Sequence, residues 1–358
     1  MSLIVFLFSL VALASPLKLE LIAENLVIPW GIAFIDSERA LITEKTGIFK
    51  VVNVKTKKTF PVKNKISVFT SGQGGLLDVA LDTDFKKNNK IYFTYAKEIK
   101  DDQTTVLASA ELIQNPDSSY ELKNINDLFF AQPAVDASIH FGSRIVVTAS
   151  EIWMTVGDRN QRDLAQDLNA HMGKVLKLDK NGKAHPSNPF INQKGAKPEI
   201  WSYGHRNPQG LVLIEKTGEL WAHEHGPRGG DELNLITKGA NYGWPVVSHG
   251  REYWGPSIGE GKEKSGIQKS VHIYVPSIAP CGLTYYSSDK IPQLKDSFLI
   301  GALKLTHLNQ VKLQDGKFLK ENRFFEKEEL RIRDVETGPD GFIYFTTDSG
   351  LFYRVSSI

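Results

Sequence analysis

The sequence contains almost no cysteine and no excess of charge of either sign. Cys281 is the single cysteine among 358 residues, so an internal disulfide and a cysteine-based zinc site are both excluded. Lys and Arg number 43 against 41 Asp and Glu, a net charge of +2, and this balance shows no electrostatic footprint for nucleic acid or an acidic membrane. Because 41% of the residues are hydrophobic, we expect a globular protein with a large core, and because the charge is balanced we expect a small-molecule partner.

Long apolar runs are also scarce, and the one that stands out is at residues 3–14. It is too short for a comfortable transmembrane helix and has the length of a signal-peptide core, with Ala-Leu-Ala at 12–14 as a small-x-small cleavage site. The usual basic segment before it is missing, so a buried first strand or a misplaced start remain alternatives. We predict a signal peptide over residues 1–15, a mature domain over 16–358, export to the periplasm or beyond, and no stable membrane insertion.

Helical periodicity is nearly absent, apart from a possible turn at residues 164–168, whereas a pattern of short alternating strands with aromatic and glycine flanks returns six times. The six copies cover residues 30–52, 77–95, 142–157, 210–222, 282–301 and 332–355. Six small sheets are packed most economically around an axis, so the sequence predicts an all-β fold, a six-bladed β-propeller with its active site at the mouth of the channel. A β-sandwich or a pair of domains is the alternative. The long inserts at 179–197 and 248–269 are expected on one face, where binding loops collect.

The densest polar cluster is the loop at residues 221–234, Trp-Ala-His-Glu-His-Gly-Pro-Arg-Gly-Gly-Asp-Glu-Leu-Asn. Its His-Glu-His lacks the helical spacing of a zinc protease motif. Its carboxylates and main-chain carbonyls are hard oxygen ligands of the kind that calcium prefers. A solvated surface loop is the alternative.

Cationic residues and one histidine are further candidates for ligand binding and catalysis. Arg206 offers a planar fork for a carboxylate, and Lys304, Arg331 and Arg333 occur late in the chain near strand ends. Each one alone fits a solvated surface charge, but together at the channel mouth they would hold a polyanionic ligand. His140 precedes a predicted strand and is a candidate general base, although a lone histidine is more often structural.

These segments together resemble the soluble, quinone-dependent aldose sugar dehydrogenases, relatives of bacterial soluble glucose dehydrogenase. The resemblance runs in order through residues 17–355. Its motifs are Pro-Trp-Gly at 29–31, Gly-Gln-Gly-Gly-Leu-Leu-Asp at 72–78, His-Phe-Gly-Ser-Arg at 140–144, Gly-Asp at 157–158 with Asn-Gln at 160–161, Gly-His-Arg-Asn-Pro-Gln-Gly at 204–210, Glu-His-Gly-Pro at 224–227, Gly-Asp-Glu-Leu-Asn at 230–234, Asn-Tyr-Gly-Trp-Pro at 241–245, Ser-Ile-Ala-Pro at 277–280, Gly-Ala-Leu-Lys at 301–304 and Arg-Ile-Arg-Asp-Val at 331–335.

The resemblance implies a six-bladed propeller that binds pyrroloquinoline quinone (PQQ) without a covalent link, with calcium between cofactor and protein. It implies that His140 takes the C1 hydroxyl proton of an aldose, that Arg206 stabilises the reduced quinone and that Asp158 orients His140. The other cofactor-binding residues that it implies are Gln73, Asn207, Lys304, Arg331 and Arg333. The implied sugar contacts are Gln73, Asp158 and Gln161. The implied metal ligands are the carbonyls of Gly226 and Pro227 for the cofactor's calcium, and Glu232 with the Tyr242 carbonyl for a second calcium.

The sequence departs from the glucose dehydrogenase branch at points that concern the substrate. Ile139 stands where an Asp precedes the histidine in that branch, the loop after Asp158 is shorter, and Cys281 replaces a small hydroxyl residue. These departures favour a broader range of aldoses over strict glucose specificity. Tyr253 and Trp254, in the insert, are candidates to stack on a sugar.

The function expected from the sequence is therefore an exported quinone-dependent aldose dehydrogenase, monomer or homodimer, that passes electrons to an external acceptor. A calcium-dependent propeller lactonase and a non-catalytic propeller that binds glycan or protein remain alternatives. The cationic set favours the dehydrogenase, because a lactonase has no need of a cradle for a polyanion.

Overall fold

The computed structural model describes residues 16–357, so the predicted signal peptide lies outside the described residues. Strands dominate this part of the chain. The helical segments are one short helix, α1 (Phe85–Asn88), and three 3-10 turns at Arg162–Ala165, Pro292–Leu294 and Glu326–Glu328. The first of these turns lies slightly before the turn predicted at 164–168. No helix within 16–357 has the length and apolar character needed to cross a membrane.

The strands form six four-stranded blades, which confirms the predicted propeller. Blade I is β2 (Pro29–Phe34), β3 (Arg39–Glu44), β4 (Ile48–Asn53) and β5 (Thr59–Lys63), and blade II is β6 (Leu76–Leu81), β7 (Lys90–Ile99), β8 (Asp102–Gln114) and β9 (Tyr120–Phe130). Blade III is β10 (Ile145–Val147), β11 (Glu151–Val156), β12 (Lys174–Asp179) and β13 (Ile200–Tyr203), and blade IV is β14 (Pro208–Ile214), β15 (Glu219–Glu224), β16 (Asp231–Leu235) and β17 (His272–Tyr274). Blade V is β18 (Pro280–Tyr286), β19 (Ser297–Ala302), β20 (Leu308–Gln314) and β21 (Lys317–Phe324), and blade VI is β22 (Ile332–Thr337), β23 (Ile343–Thr347) and β24 (Phe352–Ser357) with β1 (Leu17–Ala23).

Alternation along each strand explains why the blades stack. In β3, Leu41 packs into the core shared with blade II, whereas Ala40 and Ile42 pack into the core shared with blade VI. Neighbouring residues of a strand point to opposite faces of its sheet, so a sheet buried on both faces needs apolar residues at consecutive positions. The apolar strands thus encode a sheet that is covered on each side by another blade.

Two features close the ring. The six innermost strands contact one another in turn, and β22 contacts β2, which completes the circle. Strand β1 pairs antiparallel with β24, with Leu17 opposite Ser357, so the beginning of the described chain completes the last blade. A parallel pairing of β5 with β9 also joins the outer edges of blades I and II.

Arg144 lies at the axis, immediately before β10, and is buried. Its guanidinium contacts one group from each of the other five innermost strands. These are the ring of Trp30 at 4.2 Å, Asp78 Oδ1 at 3.3 Å, the Gln209 carbonyl at 2.9 Å, Cys281 Sγ at 3.6 Å and Asp334 Oδ1 at 2.6 Å. A planar group with five donors suits this place, because its hydrogen bonds radiate in one plane.

The first strand of every blade begins, and the second ends, at the same end of the channel, which we call the mouth. The two long inserts do not share this face, so that expectation is wrong. The turn after β12 lies at the opposite end, where Lys180 Nζ is 2.9 Å from Asp82 Oδ2 just beyond β6. The other insert is at the mouth, where Arg251 pairs with Arg228 after β15.

Candidate active site

The mouth contains a cavity of about 430 Å³ formed by loops from all six blades. Each loop either precedes a first strand or follows a second strand, so the residues reach the cavity from rigid strand ends. Five of the predicted cofactor-binding residues line it, namely Gln73, Asn207, Lys304, Arg331 and Arg333. The structure adds lining residues that sequence reasoning did not single out, including Lys45, His225 and Asp348.

His140 and Asp158 form a buried pair beside this cavity. His140 Nδ1 is 2.7 Å from Asp158 Oδ1, and the indole Nε1 of Trp244 donates to Asp158 Oδ2 at 2.7 Å. With both carboxylate oxygens engaged, the proton of the neutral imidazole is assigned to Nδ1, which leaves Nε2 as an acceptor. Burial lowers the pKa of His140, and the charge of Arg206 lowers it further against the opposing effect of Asp158. The imidazole is therefore neutral near pH 7, the form that a general base requires.

The backbone around His140 is held in an unusual conformation. His140 has φ of 55°, in the left-handed region that few residues other than glycine occupy. Its N–H donates to Gln73 Oε1 at 2.7 Å. Gly157 lies against the His140 carbonyl, and a Cβ at Gly157 would collide with it. Gly157 is therefore the residue that lets β11 end directly beneath the histidine loop, next to Asp158.

Two amide side chains have their orientations fixed. The carbonyl oxygen of Gln73 accepts from His140 N–H, and that of Asn207 accepts from Gly142 N–H at 3.1 Å. Because backbone N–H groups can only donate, the NH₂ groups of both amides are left for other partners. Among the described residues neither NH₂ group makes a hydrogen bond, so both are available to acceptors in the cavity.

The opposite wall of the cavity is cationic. Arg331 and Arg333 both bind Asp348, through Nε at 3.1 Å and 2.8 Å respectively, so the two arginines extend to the same side of the strand. Lys45 Nζ donates to the Gly72 carbonyl, and burial together with the nearby charge of Arg333 lowers the pKa of this lysine. With Lys304, four cations face one carboxylate. The wall thus matches a ligand with several negative charges, and the carboxylates of PQQ would suit it.

Arg206 reaches the site from the loop before β14. Its Nη1 donates to the carbonyls of His225 and Gly226, at 3.2 and 3.1 Å, and its guanidinium lies 5.3 Å from the ring of Trp244. Its Nε is buried and has no hydrogen-bond partner within residues 16–357. An unpaired buried donor of a charged group is costly, and an acceptor at this position would satisfy it.

The predicted calcium ligands fall into two separate places. Gly226 and Pro227 lie in the loop beside Arg206, and the Gly226 carbonyl retains a second lone pair for a cation. Glu232 and Tyr242 line another cavity of about 340 Å³. Burial and the neighbouring Glu224 carboxylate raise the pKa of Glu232 to about 8.

A cation bound at this second place would offset the effects that raise the pKa of Glu232, because it would stabilise the ionised carboxylate. Asn234 Oδ1 is also buried there without a donor in the described chain. No three His, Cys, Asp or Glu side chains of residues 16–357 converge as a metal site. Calcium at either place would therefore depend on main-chain carbonyls as well as on carboxylate, which is compatible with its preference for oxygen ligands.

One predicted sugar contact stands apart. Gln161 is exposed, does not line the cavity, and contacts Asp158 only through its backbone N–H. Trp244, by contrast, was missed as a site residue although its motif was recognised. A signal for Lys45 and Asp348 was available, because each directly follows the second strand of its blade, as His225 also does, while Asp158 follows one residue further on.

Comparison with known proteins identifies the family. A family model described as Glucose / Sorbosone dehydrogenase matches residues 26–354. The chain belongs to the glucose/sorbosone dehydrogenase family. Among its relatives, aldose sugar dehydrogenase YliI of Escherichia coli is 37% identical and the match covers 98% of both chains. Quinoprotein glucose dehydrogenase B of Acinetobacter calcoaceticus is 31% identical, over 64% of this chain and 52% of that protein.

Solved structures of this dehydrogenase family show the same architecture. The apo form of the soluble aldose sugar dehydrogenase from Escherichia coli has a TM-score of 0.91 at 36% identity, covering 96% of this chain and 100% of that chain. The PQQ-bound form of aldose sugar dehydrogenase from Streptomyces coelicolor has a TM-score of 0.78 at 24% identity, covering 96% and 99%, and at that identity the likeness shows the fold alone. The glucose/sorbosone dehydrogenase chain is thus a propeller of the sugar dehydrogenase type.

Proposed function

We propose that this protein is an exported, PQQ-dependent aldose dehydrogenase that oxidises the C1 hydroxyl of aldoses to lactones, with His140 as the general base. The observation that carries the proposal is the neutral imidazole of His140, oriented by the Asp158 carboxylate, beside a cavity with four cations on its wall. The names of the relatives support it, since the Escherichia coli protein is an aldose sugar dehydrogenase and the Acinetobacter protein is a quinoprotein.

The residues of this chain would act in a simple order. Asp158, held by Trp244, fixes the imidazole so that Nε2 of His140 faces the sugar. The C1 hydroxyl donates to Nε2 and its proton moves to the imidazole as the C1–H bond breaks. The charge of Asp158 stabilises the imidazolium that forms, while Arg206 stabilises negative charge that develops on the cofactor side.

The cofactors would be held by the groups described above. Gln73, Asn207, Lys304, Arg331 and Arg333 would bind the quinone's carbonyls and carboxylates, and Gly226 and Pro227 would present carbonyls to the cofactor's calcium, with Glu232 and Tyr242 at the second calcium. When bound, the quinone supplies the hydride acceptor and calcium supplies Lewis-acid polarisation of a quinone oxygen. An external acceptor would then reoxidise the quinone.

The decisive experiment adds calcium and PQQ to the purified protein and follows aldose-dependent reduction of a dye. We expect turnover with several aldoses, a lactone product and a change in the absorbance of PQQ on binding. Absence of both turnover and the absorbance change would overturn the proposal. Hydrolysis of a lactone with calcium alone would instead identify a lactonase, and sugar binding without redox chemistry would identify a binding propeller.

Two histidine variants test the assignment of the general base. His140→Gln should retain PQQ binding and lose about 10²–10⁴-fold in kcat, the usual contribution of a general base. His171 is a matched control, because it is also buried and also lies near a carboxylate, with Nε2 3.1 Å from Glu199 Oε2. It has no neighbour in the chain that lines the cavity, whereas Phe141 and Gly142, which follow His140, line it. Activity of His140→Gln comparable to that of His171→Gln would show that the base is another residue.

A further inference from the structure

Arg159 is a buried arginine whose hydrogen bonds within residues 16–357 all go to main-chain carbonyls. Its Nε donates to the Ile139 carbonyl at 2.9 Å, and its Nη2 donates to the Ala137 carbonyl. Its guanidinium lies 3.4 Å from the centre of the Phe141 ring. The side chain therefore holds the loop at 137–141 at positions on both sides of His140.

The turn after Asp158 directs this side chain beneath the histidine loop. Arg159 and Asn160 both have left-handed backbone conformations, with φ of 52° and 59°, which few residues other than glycine adopt. Asn160 N–H donates to Asp158 Oδ1 at 2.8 Å, the same oxygen that contacts His140 Nδ1. One turn thus carries both the carboxylate that orients the imidazole and the arginine that holds its backbone.

The other bonds to this loop come from Gln73. Its N–H donates to the Ser138 carbonyl at 2.7 Å, and its Oε1 accepts from His140 N–H at 2.7 Å. Gln73 approaches the loop from the segment before β6, whereas Arg159 approaches it from the segment after β11. His140 is therefore held between two segments, and its φ of 55° depends on both.

Stability alone does not explain a charge at this place. Burial lowers the pKa of Arg159 to about 9, and Asp158 opposes this only through its charge, without a hydrogen bond. The guanidinium is therefore still charged near pH 7. Its Nη1 is also buried and has no hydrogen-bond partner in the described chain. A buried charge with an unpaired donor costs stability, and groups that carry such a cost are expected at functional sites.

The charge of Arg159 also acts on the imidazole. The ionisable groups around His140 are Asp158, Arg206, His225 and Arg159. Burial lowers the pKa of His140, the charges of Arg206 and Arg159 lower it further, and Asp158 opposes them. Burial lowers the pKa of His225 to about 3, so that ring is uncharged near pH 7. Arg206 and Arg159 are therefore the two positive charges that oppose protonation of His140.

We propose that Arg159 is a positioning residue for the oxidation: it holds the loop at 137–141 so that the His140 imidazole meets the sugar, and it keeps a positive charge beside that imidazole. The inference rests on the proposed role of His140 as the general base. Without Arg159, the carbonyls on both sides of His140 lose this donor, and the loop is free to relax from its left-handed conformation. A misplacement of about 1 Å in an active site costs about 10²-fold in rate. We therefore expect the loss of Arg159 to lower kcat rather than to raise KM.

Two variants separate the hydrogen bonds of Arg159 from its charge in the enzyme loaded with calcium and PQQ. Arg159→Met removes both and should lower kcat with an aldose about 10- to 100-fold. Arg159→Lys keeps the charge without the planar fork of donors and should also lower kcat. The acidic limb of the plot of kcat/KM against pH should move to higher pH in Arg159→Met only, because the loss of a nearby cation raises the pKa of His140. Arg39→Met is the control for lost stability, because Arg39 binds Asp36 in the turn after β2, away from the mouth, and should change neither quantity.

Measurements without turnover keep this inference separate from the proposed function. In the protein without cofactor, the histidine Cε1–H resonance that His140→Gln lacks is titrated by NMR, and the pKa of His140 should rise in Arg159→Met and not in Arg159→Lys. Both variants should still change the absorbance of PQQ on binding, because Lys304, Arg331 and Arg333 are untouched. If Arg159→Met does not fold, Arg159→Gln carries the same expectations.

The outcomes distinguish the two proposals. If no aldose is oxidised but the pKa of His140 rises in Arg159→Met, the proposed function fails and the part of Arg159 in holding His140 stands. The inference is overturned if the kcat of Arg159→Met falls by less than about threefold, well short of what a misplaced base costs. It is also overturned if His140 titrates alike in Arg159→Met and in the natural protein.

Discussion

Replacement of Arg144 by methionine should destabilise the whole ring, because this guanidinium contacts groups from all the other innermost strands. The variant keeps similar volume but leaves Asp78 and Asp334 buried without their shared cation. Breaking a buried ion pair by removing one partner costs about 3–5 kcal/mol. The lost contact with the Trp30 ring, 4.2 Å away, adds up to about 2 kcal/mol. We therefore expect a loss of at least about 4 kcal/mol in the free energy of unfolding.

The pH dependence of this loss gives a sharper test than its size. Burial, together with the nearby Asp78 charge, raises the pKa of Asp334 to about 6, and burial raises that of Asp78. A carboxyl whose pKa is raised by folding contributes stability below its unfolded pKa, and this contribution is lost as the pH rises through the folded pKa. Without Arg144 both pKa values rise further, so the loss relative to the natural protein should be larger at pH 8 than at pH 5.

Urea unfolding, followed by tryptophan fluorescence at pH 5 and pH 8, measures both quantities. Arg144→Lys retains the charge but not the planar set of donors, so its free energy of unfolding should lie between those of the natural protein and Arg144→Met. Arg144→Met combined with Asp334→Asn should recover part of the stability, because one uncompensated carboxylate is gone. The reasoning is refuted if Arg144→Met unfolds within about 1 kcal/mol of the natural protein, or if its loss is equal at both pH values.

Three further changes probe the site and its support. Trp244→Phe removes a hydrogen bond to the buried Asp158 carboxylate, which becomes more basic and should raise the pKa of His140. The acidic limb of the plot of kcat/KM against pH should then move to higher pH, and a limb that does not move contradicts this reasoning. Lys174→Met leaves the carbonyls of Leu164, Ala165 and Met172 without the Nζ donor that now bonds all three. Urea unfolding should show that the free energy of unfolding falls by about 3 kcal/mol or more. A fall of less than about 1 kcal/mol would show that water replaces the lysine. Gly157→Ala should push the His140 loop away from Asn207, lower kcat about 10- to 100-fold and cost about 1–3 kcal/mol in the free energy of unfolding, and an undiminished kcat would refute the close-approach argument.

The propeller was predictable because its signal is local and repeated. A strand such as β3, apolar at three consecutive positions, must be covered on both faces, and six returns of that pattern around tight turns leave few other architectures. The loops at the mouth could be predicted for the same reason, since Gln73, Asn207 and Lys304 all lie close to strand ends. The resemblance to known dehydrogenases then supplied roles for them that strand positions alone do not specify.

Other features depend on contacts that no local pattern encodes. The pairing of β1 with β24 joins residues at opposite ends of the chain, and the position of the 179–197 insert depends on which end of β12 it leaves. Trp244 became a site residue only through its distance to Asp158. The unusual φ of His140 likewise follows from the loops packed around it, and the exposure of Gln161 from a turn that directs its side chain away from the cavity.

The pairing of Leu17 with Ser357 also means that the ring of blades does not depend on which blade comes first in the chain. Because Leu17 and Ser357 lie side by side, a short linker would connect them, and new ends could be opened at an exposed turn such as Asp315–Gly316, between β20 and β21. Such circularly permuted chains would have the same ring with a different blade completed by two ends. A reporter domain could then be attached at a chosen blade, close to or far from the mouth, without interrupting any strand.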